Sequence, residues 1–445
     1  MSATDSEYGA SDAIPGTGSR IFGLPVWLFI FLLSFAIRAV LLAIWVSNHQ
    51  DFYRLGGEIG RVALSLLRNG QFADPYMIPT GPTAHPTPLS PVLLALIYGA
   101  FGMTATAGYV RAIVGIVSHS TLYALMPWFA RRLGLGIRAG VVAGVACAVI
   151  PMQGLGEVIG LGGTAHASLL FGLLTVAFLR RWRREHSSAV GSVLLGMACG
   201  AAFHVLPPLL FVIAGNLIFE LWWKRGRCWR LLTACVAAGA ILACIPWTWR
   251  NYAVLHDAFF IRSNFGLELR IANHSGADAD IEVTYARQRT LRHPSENRDE
   301  ARQVRDLGEA EYNRRARNEA IEWIRSHPND FLRLTLMRFV HFWCGPLRHP
   351  WLAGLFTALT LLALLGLRRV LPTLGAPGRA ALLIPLVTFP LVYYVVSYVA
   401  HYPAPLAWML LLLAGHEVQG WFGGNRGHSP QPGVSTNGGP RPLRG

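Results

Sequence analysis

Apolar stretches long enough to cross a bilayer recur along the chain, and short arginine-rich loops separate many of them. The apolar stretches cover about residues 22–46, 108–129, 138–152, 163–179, 188–203, 206–223, 231–249, 350–367, 380–399 and 404–420. A helix needs about 20 mostly apolar residues to cross the hydrocarbon core of a bilayer. The pattern therefore predicts an all-α polytopic membrane protein with about ten transmembrane helices.

Four basic clusters orient the predicted helices, because short loops rich in Lys and Arg stay in the cytoplasm. They lie at 131–138, 180–184, 224–230 and 368–379. All four share one side if the N-terminus is cytoplasmic and the apolar stretch 89–103 does not cross. That stretch has about 15 residues, fewer than a span needs, so we expect a juxtamembrane helix in the outer interface.

This orientation divides the chain into five parts. We expect disordered cytoplasmic tails at 1–21 and 421–445, a transmembrane catalytic module at 22–249 and C-terminal transmembrane helices at 348–420. Two large regions then face outward: the first loop, 48–107, and a charged region with amphipathic helices, 250–347. In the first loop, apolar residues recur at helical spacing before Gly70, which predicts an amphipathic helix on the membrane surface.

Composition supports the membrane assignment and excludes other classes. Hydrophobic residues make up 53% of the chain and charged residues 14%, with a formal net charge of +15. Soluble proteins carry about 25% charged residues, and disorder requires low hydrophobicity. A soluble protein that binds nucleic acid is therefore excluded. The six cysteines form no close C-x-x-C pair, which argues against a disulfide framework or a zinc site.

The first loop carries the first candidate chemistry. Glu58 lies near the start of the amphipathic helix, Asp51 lies shortly upstream, and His85 lies in a proline-rich, and hence stiff, segment. A rigid loop and a membrane-surface helix would bring a histidine and a carboxylate together. Two alternatives stay open: Glu58 pairs with Arg61 or Arg54 in the headgroup zone, and His85 only packs among the prolines.

The order of several sequence blocks resembles a known family. Residues 62–70 (VALSLLRNG) and 84–91 (AHPTPLSP) follow a first span. This order resembles the C-type (GT-C) glycosyltransferases of the protein O-mannosyltransferase and aminoarabinose transferase superfamily. Later blocks resemble a bacterial, family 39-like branch: 245–252 (IPWTWRNY), 262–269 (RSNFGLEL), 272–274 (ANH), 308–309 (GE), 323–328 (WIRSHP) and 338–343 (RFVHFW).

The resemblance implies a GT-C fold and a transferase in the bacterial inner membrane. Its donor would be a polyprenyl-phosphate-linked sugar, and its acceptor a lipid, glycan or protein on the periplasmic face. Membrane lipids would surround its transmembrane helices. Inverting transfer needs a carboxylate to act on the acceptor hydroxyl. The best match to the acidic residue of the family is Glu58, with Asp51 second. The usual Asp-Glu pair is absent, since Gly56 and Gly57 precede Glu58.

The resemblance also implies positions that hold the donor. Arginine neutralises a departing phosphate well because it binds two oxygens at once. The candidates for the donor phosphate and substrate are His85, Arg250, Arg262, Glu268, Arg270 and Asn273. Arg250 also lies at the outer end of the predicted span 231–249, where arginine side chains routinely extend to the membrane interface. Glu157 is the candidate for a second acidic position, or else a carboxylate in the headgroup zone. A divalent cation on Glu58, Asp51 and Glu157 is left open, and no other cofactor is indicated.

A transporter or flippase for a lipid-linked sugar is the rival function. Such proteins concentrate ionisable residues and broken helices near the bilayer midplane, often with an internal repeat. No repeat is found here, and Arg38 is the clear ionisable residue within a predicted span. The polar residues concentrate in the outer regions, which favours a transferase at the membrane surface. A scaffold whose site has been lost stays a third interpretation.

Overall fold

The computed structural model describes residues 20–49, 51–54, 56–150, 160–287 and 293–423, which are almost entirely helical. A short antiparallel hairpin, β1 (Arg20–Ile21) and β2 (Leu24–Pro25), precedes the helices. The helices are α1 (Val26–Asn48), α2 (Gly57–Asn69), α3 (Leu89–Phe101), α4 (Ala105–Leu133), α5 (Ile137–Val149), α6 (Gly163–Arg183), α7 (Ala189–Phe203), α8 (Leu209–Trp223), α9 (Arg227–Leu255), α10 (Phe265–Ala272), α11 (Ile281–Arg287), α12 (Arg298–Leu307), α13 (Glu309–Ser326), α14 (Pro328–Cys344), α15 (Pro350–Val370), α16 (Ala376–Thr388) and α17 (Ala404–Gly423).

The prediction of an all-α polytopic membrane protein is confirmed. Within the described residues, six helices are long and apolar enough to cross a membrane: α1, α4, α6, α9, α15 with its 3₁₀ extension, and α16 with the 3₁₀ helix that follows it. Four shorter apolar helices, α3, α5, α7 and α8, accompany them. The helix expected over 380–399 instead begins at Ala376 and becomes a 3₁₀ helix at Phe389–Tyr394. Pro390 has no N–H to continue the α-helical pattern.

Close contacts at small residues bring one shorter apolar helix, α7, against one longer apolar helix, α9. A Cβ added at Gly196 on α7 would lie 2.1 Å from the carbonyl oxygen of Val236 on α9. A Cβ added at Gly239 on α9 would lie 2.3 Å from the oxygen of Val193. Small residues let helix backbones approach closely in membranes, where van der Waals contacts drive association.

The helix bundle has two distinguishable ends. Gly163 at the start of α6 and Pro405 at the start of α17 line the same cavity, and we call this end the site end. The 21 residues of α6 carry the chain about 31 Å away from it. We call the far end the basic end.

All four basic clusters lie at the basic end. The 180–184 cluster lies at the end of α6, and Lys224 Nζ of the 224–230 cluster donates to the Arg184 carbonyl at 2.6 Å. The other two clusters meet the end of α17, through the 2.8 Å contact of His416 Nδ1 with Leu135 O and the 3.8 Å pair of Arg369 with Glu417. This is the arrangement that the charge pattern predicts.

The two regions expected to face outward pack against each other. Tyr76 of the first loop shares one small apolar core with Leu267 and Ile271 of α10, Val304 of α12 and Tyr312 of α13. Beneath it, α3 packs on α2 and α4 through its apolar residues. The first loop and the 250–347 region therefore form one body above the site end of the bundle.

Candidate functional site at the ends of α2 and α6

Glu58 is positioned by the start of α2. Gly57 has a φ of 71°, in the left-handed region that glycine adopts without strain. Gly57 thus permits a sharp entry into the helix directly before Glu58. Glu58 lies in the first turn of α2, where the positive end of the helix dipole favours a carboxylate.

Three side chains surround the Glu58 carboxylate. Its Oε2 lies 2.9 Å from His85 Nε2, and its Oε1 accepts a hydrogen bond from Ser295 Oγ at 2.7 Å. His293 Nε2 lies 3.5 Å from the same Oε1. His85 is buried, whereas a quarter of the Glu58 side chain is exposed. The predicted meeting of a helix carboxylate and a loop histidine is present in this geometry.

The hydrogen bonds fix which nitrogen of His293 carries the proton. Its Nδ1 accepts the backbone N–H of Ser295 at 3.0 Å, so Nδ1 has no proton. Nε2 then carries the proton and directs it toward Glu58. On the other ring, His85 Nδ1 lies 3.0 Å from the Tyr76 hydroxyl.

The cluster shifts the pKa values of its members in different directions. Burial alone would raise the pKa of Glu58, but the charge and hydrogen bond of His85, with His293 and Ser295, lower it well below its usual range. Burial alone would lower the pKa of His85, yet the adjacent Glu58 carboxylate raises it overall. For His293, burial prevails and lowers the pKa. The Glu58 carboxylate thus favours the protonated form of His85, whereas burial favours the neutral form of His293.

A second glutamate, Glu309, anchors the segment that carries His85. Its buried carboxylate accepts hydrogen bonds from the Thr83 hydroxyl, from the Ala84 backbone N–H at 2.7 Å and from Ser263 Oγ at 2.6 Å. Sequence reasoning used Glu309 only as part of a family block. No local pattern identifies its role, because its partners are far away in the chain.

Two predicted arginines bind the same segment through backbone carbonyls. Arg250 donates from Nη1 to Thr83 O at 2.6 Å and from Nη2 to Phe72 O at 2.7 Å. Arg262 donates from Nε to His85 O at 2.6 Å. Arg250 therefore packs into the protein instead of extending to the headgroups, and Arg262 links the His85 segment to the 250–347 region.

A cavity of about 540 Å³ adjoins the cluster at the site end. Arg262 and Glu268 line it together with mostly apolar and aromatic residues of α7, α8 and the 3₁₀ helix. Within the described residues, Glu268 Oε1 accepts one hydrogen bond, from Asn264 Nδ2 at 3.0 Å. Ile59, the neighbour of Glu58, also lines the cavity. The cavity thus has an apolar interior and a charged rim, formed by Arg262 and Glu268, beside the Glu58–His85 pair.

The remaining predicted residues lie elsewhere. Arg270 donates to Glu300 at 2.7 Å and to the Tyr312 hydroxyl at 2.6 Å, within the small outer core. Asn273 donates to the Val395 carbonyl at 3.0 Å and accepts from the buried Arg338. Asp51 is exposed. Glu157 lies outside the described residues.

Sequence reasoning missed His293 and Ser295, which complete the cluster from the 250–347 region. They lie in a short non-periodic stretch, so helical spacing gives no signal there. The backbone contact of Met77 N with Pro294 O, at 3.3 Å, holds that stretch against the first loop. Only the tertiary structure brings it to Glu58.

The cluster also contains a set of metal-ligating atoms. One ligand atom each from Glu58, His85 and His293 lie within 4.8 Å of one another. Glu58 fits a divalent cation, and His85 would fit once its Nε2 has released the proton directed at Glu58, with Tyr76 orienting its second ring nitrogen. His293 fits less well, because its Nε2 carries the proton as long as Nδ1 accepts from Ser295. Asp51 is not part of this group.

Comparisons with known proteins give a likeness in structure. No family model and no curated protein matches the sequence. Two solved structures are similar to this chain in fold. They are structures of ArnT from Cupriavidus metallidurans, one bound to undecaprenyl phosphate and one in the apo state.

The likeness to ArnT is distant. The identities are 14% and 15% and the TM-scores 0.38 and 0.34, with 88% of this chain and 77% of that chain covered in both cases. The roles of individual residues must therefore come from the geometry of this chain.

Proposed function

We propose that this protein is an integral-membrane glycosyltransferase, which moves a sugar from a polyprenyl-phosphate donor to an acceptor on the periplasmic face of a bacterial inner membrane. The cavity of about 540 Å³ carries the proposal, because an apolar interior ends at Arg262 and Glu268. A lipid-linked sugar has the same division, with an apolar chain, a phosphate and a polar sugar.

Arg262 is the proposed ligand of the donor phosphate. Its Nε is bound to the His85 carbonyl, so the guanidinium is held in place. Its two terminal nitrogens have no polar partner within the described part of the chain, and the side chain lines the cavity. A guanidinium fixed at one nitrogen can bind two phosphate oxygens with the others.

The two carboxylates of the site favour different roles. Glu58 accepts from three donors and has a strongly lowered pKa, which makes it a stable anion but a weak base. Glu268 lines the cavity and accepts a single hydrogen bond. We assign the base role, expected for Glu58 from the sequence, first to Glu268, and we assign to Glu58 the charge that holds His85 and the rim in place.

The proposed reaction inverts the anomeric centre. The acceptor oxygen forms a bond to the anomeric carbon while the bond from that carbon to the phosphate oxygen breaks. The hydroxyl proton moves to the Glu268 carboxylate, and Arg262 stabilises the charge left on the polyprenyl phosphate. A divalent cation, held by Glu58 and by His85 once its imidazole has lost the proton directed at Glu58, would add positive charge near this phosphate.

The test is transfer in proteoliposomes supplied with an undecaprenyl-phosphate sugar and an envelope extract as acceptor source. We expect Glu268→Gln to lower kcat by about 100-fold or more, and Arg262→Met to weaken donor binding. The exposed Glu322→Gln on α13 serves as the control and should leave both unchanged. Full activity of Glu268→Gln would transfer the base role back to Glu58. Movement of the lipid between leaflets without transfer to any acceptor would favour a flippase.

A further inference from the structure

One side of the cavity at the site end is polar but carries no formal charge, and no step of the proposed reaction uses it. Thr87 and Ser90 bring hydroxyl groups to this side from the beginning of α3, and His166 brings an imidazole from the first turn of α6. We call these three residues the polar wall. Arg262 and Glu268 line the same cavity from the 250–347 region.

The start of α6 is packed tightly against α4 and lies beside α3. A Cβ added at Gly162, where φ is 70°, would lie 2.9 Å from the Cα of Gly115 on α4. A Cβ added at Gly163 would lie 4.0 Å from Ser90 Oγ. The backbone of α6 thus holds its first turn next to the Ser90 hydroxyl, so that the polar wall is one continuous surface.

Hydrogen bonds fix the His166 ring and leave one nitrogen for a ligand. His166 Nε2 lies 2.8 Å from Ser118 Oγ on α4, and this hydroxyl donates its proton to Val114 O at 2.7 Å. Ser118 must therefore accept from His166, which places a proton on Nε2. The positive end of the α6 dipole favours the neutral ring, in which Nδ1 has no proton and is an acceptor. Among the described residues Nδ1 has no partner, and the partly exposed ring lines the cavity.

The two hydroxyl groups of the polar wall are also available. Neither Thr87 nor Ser90 has a partner for its hydroxyl within the described part of the chain, and both side chains are partly exposed. An ionised phosphate only accepts hydrogen bonds, so it cannot pair with His166 Nδ1. An alkyl chain pairs with none of the three groups. A sugar hydroxyl both donates and accepts, and hence suits the whole wall.

We propose that the polar wall binds the hydroxyls of the donor sugar while Arg262 binds its phosphate. This inference rests on the proposed transferase function and adds a sugar-binding role for His166. The wall and Arg262 line one cavity of about 540 Å³. Hydrogen bonds at the wall would orient the sugar, and the link from its anomeric carbon to the phosphate would extend toward Arg262.

The experiment compares two lipids, undecaprenyl phosphate and undecaprenyl-phosphate glucose, as ligands of the full chain in neutral detergent. His166→Gln keeps an amide near the position of Nε2, beside Ser118, and removes the acceptor at Nδ1. His166→Asn does the reverse. We expect His166→Gln to bind the glucose lipid about 3- to 10-fold more weakly, the effect of one neutral hydrogen bond, with undecaprenyl phosphate unchanged. His166→Asn should keep the native affinity for both lipids. Native mass spectrometry measures these affinities.

His204→Gln is the matched control. His204 follows α7, contacts Ala243 O through Nε2 at 3.2 Å and does not line the cavity. The same substitution there should leave the affinities for both lipids unchanged.

Three results would overturn the sugar-binding role. They are unchanged binding of the glucose lipid by His166→Gln, equal losses for the two lipids, and a loss in His166→Asn without one in His166→Gln. The last would show that only the contact with Ser118 matters. If His166→Gln does not fold, Ser90→Ala replaces it and should weaken binding of the glucose lipid alone by about threefold. An unchanged affinity in that variant would equally contradict the role.

Failure of the proposed function gives a different result. A native chain that binds neither lipid would contradict the transferase proposal and the sugar site with it. A native chain that binds both lipids, with His166→Gln indistinguishable from it, would contradict the sugar site alone.

Discussion

Glu58 and Glu309 show how two glutamates near one histidine can do different work. Glu58 contacts the His85 ring, and its opposite charge raises the pKa of the imidazole. Glu309 binds the backbone and side chains of the same segment and does not reach the ring. One residue sets the charge state of the histidine, and the other fixes the loop that carries it.

The Glu58–His85 pair predicts a pH-dependent stability. Because the pKa of His85 is raised above the usual histidine value of 6.5, the stabilisation is complete below pH 6.5 and is lost as the pH rises through the raised pKa. The lowered pKa of Glu58 keeps its charge throughout this range. We expect His85→Gln to lower the free energy of unfolding more at pH 6 than at pH 9. Thermal unfolding of both proteins across this range measures the difference, and a constant offset would contradict it.

The Glu309 contacts predict a structural loss. Glu309→Ala leaves three donors without their acceptor, and each buried unsatisfied group costs about 1–3 kcal/mol. We expect a loss of about 3 kcal/mol or more, with transfer activity falling in parallel. Thermal unfolding and the transfer assay measure the two effects. Glu311→Ala, an exposed neighbour on α13, is the matched control, and equal melting temperatures for the two variants would refute the anchoring role.

At the scale of elements, the sequence predicted helices better than it predicted partners. Apolar runs placed the spans, and helical spacing before Gly70 placed α2, because both signals are local. The contact of Glu58 with Ser295 joins residues 237 positions apart, and no local pattern encodes it. Arg270 illustrates the same limit: its place in the outer region, away from a span end, suggested phosphate binding, whereas its guanidinium pairs with Glu300, 30 residues later.

The packing of α10 on α13 predicts that Gly266 is needed for donor binding. A Cβ added at Gly266 would lie 2.0 Å from Asn313 O, so alanine must push the two helices apart. Arg262 and Glu268 flank this glycine and would move with α10. We expect Gly266→Ala to weaken donor binding by about 10-fold or more, since a displacement of about 1 Å can cost 100-fold in rate. Titration with undecaprenyl phosphate measures it.

Gly354→Ala provides the control for this substitution. A Cβ at Gly354 on α15 meets nothing within 4 Å, so the same chemical change is made without a clash. It should bind the donor lipid as the native chain does. Equal affinities in the two variants would show that the contact between α10 and α13 does not position the rim.

The whole molecule separates its charges between the two ends of the bundle. Basic clusters collect at one end, whereas the Glu58 cluster, the cavity and α10–α14 lie at the other. A transferase for a lipid-linked sugar needs this polarity, because donor and acceptor must meet on one face only. The charge rule predicts that the basic end lies in the cytoplasm.

A native cysteine, Cys228, allows this orientation in the membrane to be measured by thiol labelling. Cys228 is exposed and lies in the 224–230 cluster, so a membrane-impermeant maleimide should label it only after the membrane is opened. In a Cys228→Ser background, Arg305→Cys adds a thiol on an exposed residue of α12, where labelling of intact spheroplasts should proceed. We expect the label in intact cells to be at least 10-fold higher at position 305 than at 228, since thiol reaction requires access to solvent. The reverse ratio would place the Glu58 cluster in the cytoplasm, where it could not act on a periplasmic acceptor.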